Sequence, residues 1–367
     1  MTNVTEAAAA PGGTTAKPRR GRVKCVVWDL DNTVWDGVLL EGGAKALRPG
    51  VAAAIRALDA RGVLNSVASR NEHDAALREL ERFGLAEYFL YPQINWNPKS
   101  ESVARIAGAL NIGLNAIAFV DDQEFEREEV AFTHPEVLCC DAAQVPELTD
   151  LPEFNPRHVT EESANRRDMY RSSLARDEAQ RDFAGTSDQF LETLGMVFTI
   201  NEATEDDLKR AEELTVRTNQ LNSTGVMYSY EELRQLLDSP DHVLLMASLS
   251  DRYGDYGKIG LALAERGDPA WTLKLLLMSC RVMSRGVGTV LLNHVVGLAH
   301  AEGSRLRAEF VPTDRNRIMY ITYRFAGFVE DSVTDGVQTL VGPADGAPEP
   351  PAYLRVDVIG REPTHAR

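Results

Sequence analysis

Short apolar runs alternate with amphipathic stretches over the first third of the chain, from residue 23 to about residue 140. VKCVVWDL, LNSVAS and AIAFVDD are the apolar runs, and between them PGVAAAIRALDARG and EHDAALRELERFG repeat apolar positions at helical spacing. This β-α-β-α rhythm predicts a parallel sheet covered by helices on both faces, in a first domain over residues 23–145. Ligands of such sheets bind beyond the carboxyl ends of the strands, so we expect a site there.

A different pattern begins near residue 195. Residues 146–194 are predicted to form a proline-containing linker and a charged helix. From 195 to 345, the runs MVFTINEAT, HVLLMASLSD and WTLKLLLMSC predict an α+β domain with a largely antiparallel sheet. We expect residues 346–367 to be a C-terminal extension and residues 1–22, rich in Ala, Gly, Pro and Thr, to be a disordered tail.

The totals narrow the class of protein. A chain of 367 residues is long enough for two domains with separate cores, and its net charge of -16 disfavours nucleic acid and anionic membranes as partners. No apolar run approaches the roughly 18 residues that a membrane span requires. Four cysteines without CxxC spacing argue against a disulfide framework or a zinc site, and no signal peptide is recognisable, so we expect a cytoplasmic protein.

Two aspartates, Asp29 and Asp31, follow the apolar run CVVW. Because strand side chains alternate, residues two apart lie on the same side, and both carboxylates are expected to face one cleft. Facing carboxylates repel each other unless a cation lies between them, and hard oxygen ligands suit Mg²⁺. The alternative is a helix cap or a solvated turn that binds nothing.

Three later segments supply what a phosphoryl-transfer site needs. SVASRN ends an apolar run with Ser69, whose hydroxyl can hold a phosphoryl oxygen, and NPKSES offers the ammonium of Lys99. AIAFVDDQEFE ends another run with an acidic pair, Asp121 and Asp122, that can complete a set of metal ligands.

These four motifs, in this order, resemble the haloacid dehalogenase (HAD) superfamily. The resemblance implies that Asp29 is a nucleophile forming an aspartyl-phosphate and that Asp31 is the general acid and base. It implies Mg²⁺ ligands Asp29, Asp31 and Asp121, with Asp122 as a helper. The implied phosphate-binding residues are Thr33, Ser69, Arg70, Asn71 and Lys99. Gaps of about 35 and 30 residues between the motifs leave no room for a large lid, so we expect a Rossmann-like sheet with a minimal cap.

A second motif, LKLLLMSCRVMSRGVGTVLLNHVV, predicts a strand, a glycine-containing turn and a helix. Amides at such a helix N-terminus can hold a phosphate with the help of Arg281 or Arg285. The turn resembles the acyl-CoA-binding turn of the GCN5-related acetyltransferase (GNAT) fold, and NRIMYITYRFAGF resembles the closing helix of that fold. The pantetheine-binding or acyl-binding residues predicted on this basis are Arg281, Arg285, Gly286, Gly288 and Asn316.

Two further segments have both a functional and a structural interpretation. RTNQLNSTG places Arg217, Asn219 and Gln220 at a helix end, where they can bind glycerate hydroxyls or pantetheine amides, or serve only a helix cap and turn. DRYGDYGKIG is typical of a tight hairpin whose glycines serve the turn.

Cys280 directly precedes the phosphate-binding turn. A helix N-terminus and Arg281 would stabilise its thiolate, which could attack an activated acyl group, although many cysteines are simply buried apolar residues. Cys25 is expected to be buried in a strand, and Cys139 and Cys140 have no adjacent base. His294 and His300, on the following helix, are the candidate bases and could equally face solvent or core.

From about residue 23 to 330 the chain resembles the FkbH-like family of glyceryltransferase/phosphatases, on VVWDLDNTVWDGVL, FVDDQEFEREEV, RTNQLNSTG, DRYGDYGKIG and SCRVMSRGVG. The resemblance implies that the glyceryl group of D-1,3-bisphosphoglycerate is loaded onto a cysteine, loses its 3-phosphate and passes to the phosphopantetheine thiol of an acyl carrier protein. The product, glyceryl-ACP, serves methoxymalonyl or tetronate units of polyketide biosynthesis. Asp36 and Ser284 depart from the family pattern.

Two alternatives remain at this stage. The chain could be a Mg²⁺-dependent phosphatase with a degenerate GNAT-like appendage, or its second domain could be a carrier-protein docking module without chemistry. Because carrier proteins are usually acidic, we expect a local basic docking patch made by Arg281, Arg285, Arg315 and Arg317.

Overall fold

The computed structural model describes residues 22–44, 46–218 and 220–360. The described residues form two compact units, one made of residues 22–58 and 63–156 and the other of residues 59–62 and 157–360. Asn219, residues 1–21 of the predicted tail and residues 361–367 of the predicted extension lie outside the described residues.

The first unit contains the predicted parallel sheet. Its strands are β1 Cys25–Trp28, β2 Leu64–Ser69, β3 Gln93–Ile94, β4 Ile117–Asp121 and β5 Leu138–Asp141, in the order β3-β2-β1-β4-β5 with parallel pairing throughout. β1, β2 and β4 are buried along their whole length, because helices cover both faces of such a sheet, and this explains their unbroken apolar runs.

The helices of the first unit are α1 Val51–Ala60, α2 His73–Arg82, α3 Lys99–Leu110, α4 Glu124–Thr133 and α5 Val145–Leu148. β1 pairs with β2 on one side and β4 on the other, so the connections leaving β1 and β4 diverge at this point of the sheet. Divergent connections open a crevice at the carboxyl ends of the strands, which is where the predicted acidic residues lie.

The second unit contains an eight-stranded mixed sheet. Its strands are β6 Met196–Glu202, β7 His242–Asp251, β8 Gly254–Glu265, β9 Ala270–Met278, β10 Arg305–Phe310, β11 Val329–Thr334, β12 Val337–Val341 and β13 Leu354–Ile359, in the order β11-β12-β10-β9-β8-β7-β6-β13. The β9–β10 and β6–β13 pairs are parallel and the other pairs antiparallel, so the sheet is largely antiparallel as predicted.

The helices of the second unit are α6 Glu161–Ala164, α7 Arg166–Asp182, α8 Ser187–Leu194, α9 Leu208–Arg217, α10 Tyr230–Asp238, α11 Val287–Ala301 and α12 Arg317–Phe325. A large core cluster joins the sheet to α8, α11 and α12 and includes Phe198, Trp271, Leu291 and Tyr323. A smaller cluster, with Leu214 and Leu277 among its members, joins α9 to strands of the same sheet.

The predicted charged helix, α7, belongs to this second unit, whereas the sequence placed it in a linker region ending at residue 194. Arg176 is 1% exposed, and its Nε and Nη2 donate to the Asp251 carboxylate at 2.7 and 2.9 Å. Its guanidinium also lies 3.8 Å from the centre of the Tyr256 ring. A buried ion pair therefore holds α7, and an apolar periodicity could not reveal it.

Part of the predicted C-terminal extension is also built into the second unit. β13 pairs in parallel with β6 over six residues, from Leu354 opposite Met196 to Ile359 opposite Asn201. Leu354 is buried in the large core cluster. The edge of the sheet at β6 is therefore covered by a strand from the end of the chain.

Among the described residues, no helix is both long enough and apolar enough to cross a membrane.

Candidate active sites

Three carboxylates meet at the carboxyl ends of β1 and β4. Asp29, Asp121 and Asp122 each contribute an oxygen to a group whose members lie within 4.8 Å of one another. The parallel register brings Trp28 opposite Val120, and the Asp29 amide donates to the Val120 carbonyl at 2.9 Å, which fixes Asp29 beside β4. A compact set of hard oxygen donors is what Mg²⁺ requires, so these residues fit that ion.

Lys99 is buried among these carboxylates. Its Nζ donates to Asp29 Oδ1, to Asp121 Oδ2 at 3.1 Å and to the Ala68 carbonyl at 2.8 Å. Lys99 opens α3, and the Glu129 carboxylate accepts the amide of Ser100 at 3.0 Å, which holds the start of this helix. Burial opposes the charge, yet Asp29 and Asp121 raise the pKa of Lys99, so the ammonium is retained.

The acidic cluster carries more negative charge than Lys99 balances. Burial, followed by the charge of Asp29, raises the pKa of Asp121 to about 6. The same two causes raise the pKa of Asp122. A divalent cation would relieve this excess charge, which agrees with the expected Mg²⁺ site.

Asp31 lies outside the carboxylate cluster, although the resemblance implied that it is a metal ligand. β1 ends at Trp28, so strand alternation does not govern Asp31, and Asn32 turns the chain with φ 51°. The Asp31 carboxylate accepts from Trp35 Nε1 at 2.8 Å and from Asn71 Nδ2 at 3.0 Å. Burial is the main cause that raises the pKa of Asp31, as a proton donor requires. Asp122 takes the place predicted for Asp31 in the acidic cluster.

Two of the residues predicted to bind phosphate, Thr33 and Asn71, are hydrogen-bonded to the aspartates. Thr33 Oγ1 accepts from the Asp122 amide at 3.0 Å and donates to its Oδ1 at 3.4 Å. Asn71 donates to Asp31, and its own Oδ1 is buried without a hydrogen-bond partner among the described residues. These contacts orient the acidic side chains that surround the crevice.

Ser69 and Arg70 follow at the end of β2. Ser69 is 3% exposed and adjoins Ala68, whose carbonyl accepts from Lys99. Arg70 forms an ion pair with Glu126 at 2.8 Å and is 38% exposed, so a partner carboxylate already holds it. Asp36, one of the departures from the family pattern, is 58% exposed and lies 3.8 Å from Arg48.

The second predicted site is centred on Cys280. This residue has a free thiol, is half-buried, and starts a single helical turn after β9. The residues before it are held from two sides, because the Met278 amide donates to Leu221 O at 2.8 Å and the Ser279 amide to Ile259 O at 2.6 Å. The backbone leading to the thiol is therefore fixed by neighbouring segments.

The predicted phosphate-binding turn lies at the start of α11. Gly286 has φ 73°, and a Cβ at this position would come within 2.8 Å of the Tyr353 hydroxyl. Arg285 is 5% exposed, and its Nε and Nη1 are buried without hydrogen-bond partners in the described residues. Gly288 lies against Met278, where an added Cβ would be 3.3 Å from Cγ. Ser284, the second departure from the family pattern, is exposed.

Only two of the four arginines of the predicted docking patch are exposed at the surface. Arg285 is buried, and Arg281 is half-buried with its Nε 3.4 Å from Ser279 Oγ and its Nη1 against the Met169 thioether. Arg315 and Arg317 are exposed.

Asn316 has a structural role here. Its Nδ2 donates to the carbonyls of Asn222 and Val311 at 3.0 and 2.9 Å, and its Oδ1 accepts from the Thr313 amide at 2.9 Å. Both amide hydrogens are used within the protein, so the predicted pantetheine contact finds no free donor on this side chain.

RTNQLNSTG combines turn chemistry with sheet pairing. Asn222 Oδ1 accepts from the amides of Thr224 and Gly225 at 3.2 and 2.8 Å, which forms a turn. Ser223 exchanges hydrogen bonds with Leu276 of β9. Gln220 is half-buried.

Arg217, the other described residue of the predicted set, belongs to an ionic cluster. Its Nη1 lies 3.7 Å from Glu213 Oε1. Burial, followed by the charge of Arg166, lowers the pKa of Arg217 to about 9.

The two histidines of α11, neither of which the sequence could assign as a base for the thiol, contact other parts of the second unit. His294 lines a cavity of about 410 Å³ with residues 347–350, and burial lowers its pKa. His300 lies near Gly346, whose added Cβ would be 3.9 Å from His300 Nδ1. Neither histidine is hydrogen-bonded to Cys280.

Sequence reasoning missed Arg166, Tyr170 and Arg210, which lie near Arg281, the residue after Cys280. Tyr170 is close enough that the Cys280 charge, after burial, helps to raise its pKa. Arg166 and Tyr170 are four residues apart on α7, and Arg210, Glu213 and Arg217 follow at spacings of three and four on α9. These spacings place side chains on one helix face, which was the available signal.

The other cysteines are less suited to chemistry. Cys25 is buried, and desolvation raises the pKa of its thiol. Cys140 is buried and Cys139 half-buried on β5.

No family model and no curated protein matches this chain. Among solved structures, it is similar to the N-terminal, phosphatase-domain-containing part of BF1531 from Bacteroides fragilis in complex with Mg, at 29% identity and TM-score 0.33, over 37% of this chain and 42% of that one. It is also similar to the GNAT domain of S. lividans PAT, at 21% identity and TM-score 0.32, over 39% and 88%. A third match is PaiA N-acetyltransferase from Thermoplasma acidophilum in complex with coenzyme A, at 14% identity and TM-score 0.32, over 40% and 98%. At these TM-scores the likenesses assign no activity to this chain.

Proposed function

We propose that the protein is a bifunctional glyceryltransferase/phosphatase. It transfers the glyceryl group of D-1,3-bisphosphoglycerate through a Cys280 thioester to the phosphopantetheine thiol of an acyl carrier protein, and it removes the 3-phosphate. The observation that carries the proposal is that one chain contains both a buried Asp29–Lys99–Asp121 group and a free, half-buried cysteine accompanied by arginines.

Phosphate removal uses the first site. The Asp29 carboxylate attacks the phosphorus of the 3-phosphate, and the bond from phosphorus to the C3 oxygen of the glyceryl group breaks. Asp31 donates the proton that this oxygen needs. Water then attacks the aspartyl-phosphate, Asp31 takes a proton back, and inorganic phosphate and the Asp29 carboxylate are released. Trp35 and Asn71 hold Asp31, while Lys99 balances charge beside Asp29.

Asp29, Asp121 and Asp122 would hold Mg²⁺ at this site. The ion, when bound, would neutralise charge on the phosphoryl oxygens. Mg²⁺ binding is measurable without turnover as an increase in melting temperature, and we expect Asp121→Asn to abolish that increase.

Acyl transfer uses Cys280. Its sulfur attacks the acyl carbon, a carbon–sulfur bond forms, and the carbon–oxygen bond to phosphate breaks. The thiol proton ends on the departing inorganic phosphate, so atoms and charge balance. Attack by the pantetheine thiol on the enzyme thioester then gives the carrier thioester and regenerates the Cys280 thiol.

The phosphopantetheine arm would bind at the start of α11, where Arg285 has unpartnered buried nitrogens. An anion there would supply the missing hydrogen bonds and interact favourably with the helix N-terminus. The carrier product would serve polyketide biosynthesis, and a reduced thiol at Cys280 suits the cytoplasm.

Intact-protein mass spectrometry tests the proposal. Enzyme and holo acyl carrier protein are incubated with Mg²⁺ and enzymatically generated 1,3-bisphosphoglycerate. Wild type should load the carrier with glyceryl, Cys280→Ala should carry nothing, and Asp29→Asn should stall with phosphoglyceryl. Cys139→Ala is the matched thiol control and should behave as wild type.

A Mg²⁺-dependent phosphatase is the second candidate. It is favoured by the first unit alone, because Asp29, Lys99 and Asp121 are complete without any residue of the second. If the wild-type protein releases phosphate but does not load the carrier protein, the result would support the phosphatase and contradict acyl transfer.

A further inference from the structure

Four arginines from three segments of the second unit are grouped, and one of them, Arg281, directly follows Cys280. Arg166 comes from α7, Arg210 and Arg217 from α9, and Arg281 from the turn after β9. Arg166 and Arg210 are 8% and 5% exposed. Cys280, Arg166 and Arg210 are all close enough to Arg281 to affect its ionisation. We call these four residues the arginine cluster.

Among the described residues, three members of the arginine cluster pair with the same carboxylate, that of Glu213. Glu213 pairs with Arg166, with Arg210 at 2.7 Å and with Arg217 at 3.7 Å. The remaining Arg210 nitrogens donate to the Lys258 carbonyl, which carries no charge.

Two acidic side chains of the same unit, Glu212 and Asp207, already have other partners. Glu212 pairs with Arg157 at 2.7 Å and with His158 at 2.9 Å, and Asp207 pairs with Lys258 at 2.6 Å. Arg166, Arg210 and Arg217 therefore share the carboxylate of Glu213, and Arg281 does not pair with it.

Arg281 is the member of the arginine cluster without a carboxylate partner among the described residues. Its contacts are the neutral Met169 thioether and the Ser279 hydroxyl, and a thioether is a weak acceptor. Burial, followed by the charge of Arg210, lowers the pKa of Arg281 to about 10. Burial, followed by the charge of Arg166, also lowers the pKa of Arg217, so members of the cluster repel one another.

We propose that the arginine cluster binds the phosphate of an acyl-phosphate substrate and places its acyl carbon at Cys280. The inference rests on the proposed function, to which it adds the residues that hold the phosphate of the acyl donor. Guanidinium groups suit phosphate because they offer planar, paired donors. Bound phosphate would supply the negative charge that Glu213 alone does not.

The arrangement also explains how the leaving group departs. As the carbon–oxygen bond breaks, its electron pair stays on the phosphate oxygen, and guanidinium groups already facing that phosphate stabilise the growing charge. Inorganic phosphate leaves with the thiol proton, and the acyl group stays on sulfur.

Paired alkylating reagents test the cluster without any substrate. Iodoacetate is an anion and iodoacetamide is its neutral analogue, so the ratio of their rates at Cys280, read by peptide mass spectrometry, reports an anion-binding site beside the thiol. We expect the ratio of the iodoacetate rate to the iodoacetamide rate to be at least about tenfold higher at Cys280 of the wild type than in a free-thiol standard. A hydrogen bond to a charged group supplies a factor of this size. Inorganic phosphate should protect Cys280 from both reagents.

Variants with opposite expected effects separate this role from a structural one. Arg281→Met and Arg217→Gln should lower the rate ratio, whereas Glu213→Gln should raise it, because it removes the competing negative charge. Arg252→Gln, at an exposed position, is the charge-matched control and should leave the ratio unchanged. A variant that merely loosens the fold would raise the iodoacetamide rate at Cys280, whereas loss of the anion site alone would lower the iodoacetate rate and leave the iodoacetamide rate unchanged.

The outcomes distinguish the two proposals. A wild-type ratio near that of the free-thiol standard, or a ratio unaffected by Arg281→Met, overturns the anion site even if glyceryl loading occurs. A high ratio with phosphate protection, in a protein that never accepts glyceryl, supports the anion site and overturns the proposed function.

Discussion

At the scale of single residues, Lys99 carries an unusual share of the first site. Its ammonium contacts Asp29 and Asp121 and is 3% exposed. Buried carboxylates that lose their counter-ion are costly, because neither solvent nor a partner compensates their charge.

Lys99→Met should therefore destabilise the protein by about 3–5 kcal/mol in the absence of Mg²⁺. Added Mg²⁺ should recover part of this loss, since the ion replaces the missing positive charge. Urea unfolding with and without Mg²⁺ measures both effects. Lys209→Met, at an exposed lysine, should change stability by less than about 0.5 kcal/mol. An equally stable Lys99→Met protein would contradict the assigned role.

Asn71 is a positioning residue for Asp31. Asn71→Ala removes the 3.0 Å hydrogen bond to Asp31 Oδ2 and should lower kcat for phosphate release by about 10-fold to 100-fold, the usual range for lost supporting contacts. Mg²⁺ binding should remain, because Asn71 does not contact the acidic cluster. Loss of Mg²⁺ binding together with activity would instead indicate general disruption of the crevice.

Residues of the first site were largely predictable, whereas their partners were not. DxDxT, Lys99 and Asp121 stand next to strands with strong apolar patterns. The predicted ends of those strands therefore indicated where these residues lie. The contacts of Asp31 with Trp35 and Asn71 depend on a turn at Asn32 that periodicity does not describe. Asn316 looked like a ligand-binding residue and is used internally, because burial and hydrogen-bond partners are properties of the folded chain.

At the scale of elements, α7 is held by a buried ion pair. The Arg176–Asp251 pair joins α7 to the β7–β8 hairpin, with Tyr256 donating to Asp251 Oδ2 at 3.0 Å. This explains why DRYGDYGKIG combines turn glycines with an aspartate and tyrosines.

The losses of unfolding free energy caused by the two single substitutions at this pair should not add up in the double variant. Arg176→Met or Asp251→Asn should each cost about 3–5 kcal/mol, since each leaves one buried charge alone, and the double variant should cost less than the sum. Denaturant unfolding of all four proteins gives the coupling energy. Additive losses would show that the pair is not a unit.

Gly286 sets the start of α11 for a steric reason. Alanine there must adopt a left-handed backbone, at about 1–2 kcal/mol, and its Cβ would meet the Tyr353 hydroxyl at 2.8 Å. Gly286→Ala should therefore lose stability, and adding Tyr353→Phe should restore the part due to the clash. Thermal unfolding of the single and double variants separates the two contributions, and no recovery would assign the whole loss to the backbone.

At the scale of the whole molecule, the net charge of the chain was a poor guide to the charge around individual sites. A net charge of -16 coexists with the arginine cluster, because surface carboxylates dominate the sum while the arginines are buried or half-buried. The two-unit division and both sheet types followed from apolar patterns. β13 did not, since its short run lies after a proline-rich stretch and pairs with a strand some 150 residues earlier.

Removal of residues from Gly346 onward should expose the edge of β6. Hydrogen exchange should then accelerate at the β6 amides that pair with β13, while β8 and β9 remain protected as in the full chain. Unchanged exchange at β6 after truncation would contradict the pairing.

The segment that pairs with the end of β9 matters for anyone who would re-engineer the chain. Leu221 and Ser223 bond to Met278 and Leu276, two and four residues before Cys280. Grafting a longer or shorter loop at 218–227 to change the acyl group accepted would therefore shift the nucleophile as well. A change of loop length would therefore alter both substrate specificity and the position of the nucleophile. Mutant libraries should vary the side chains of this loop and keep its length fixed.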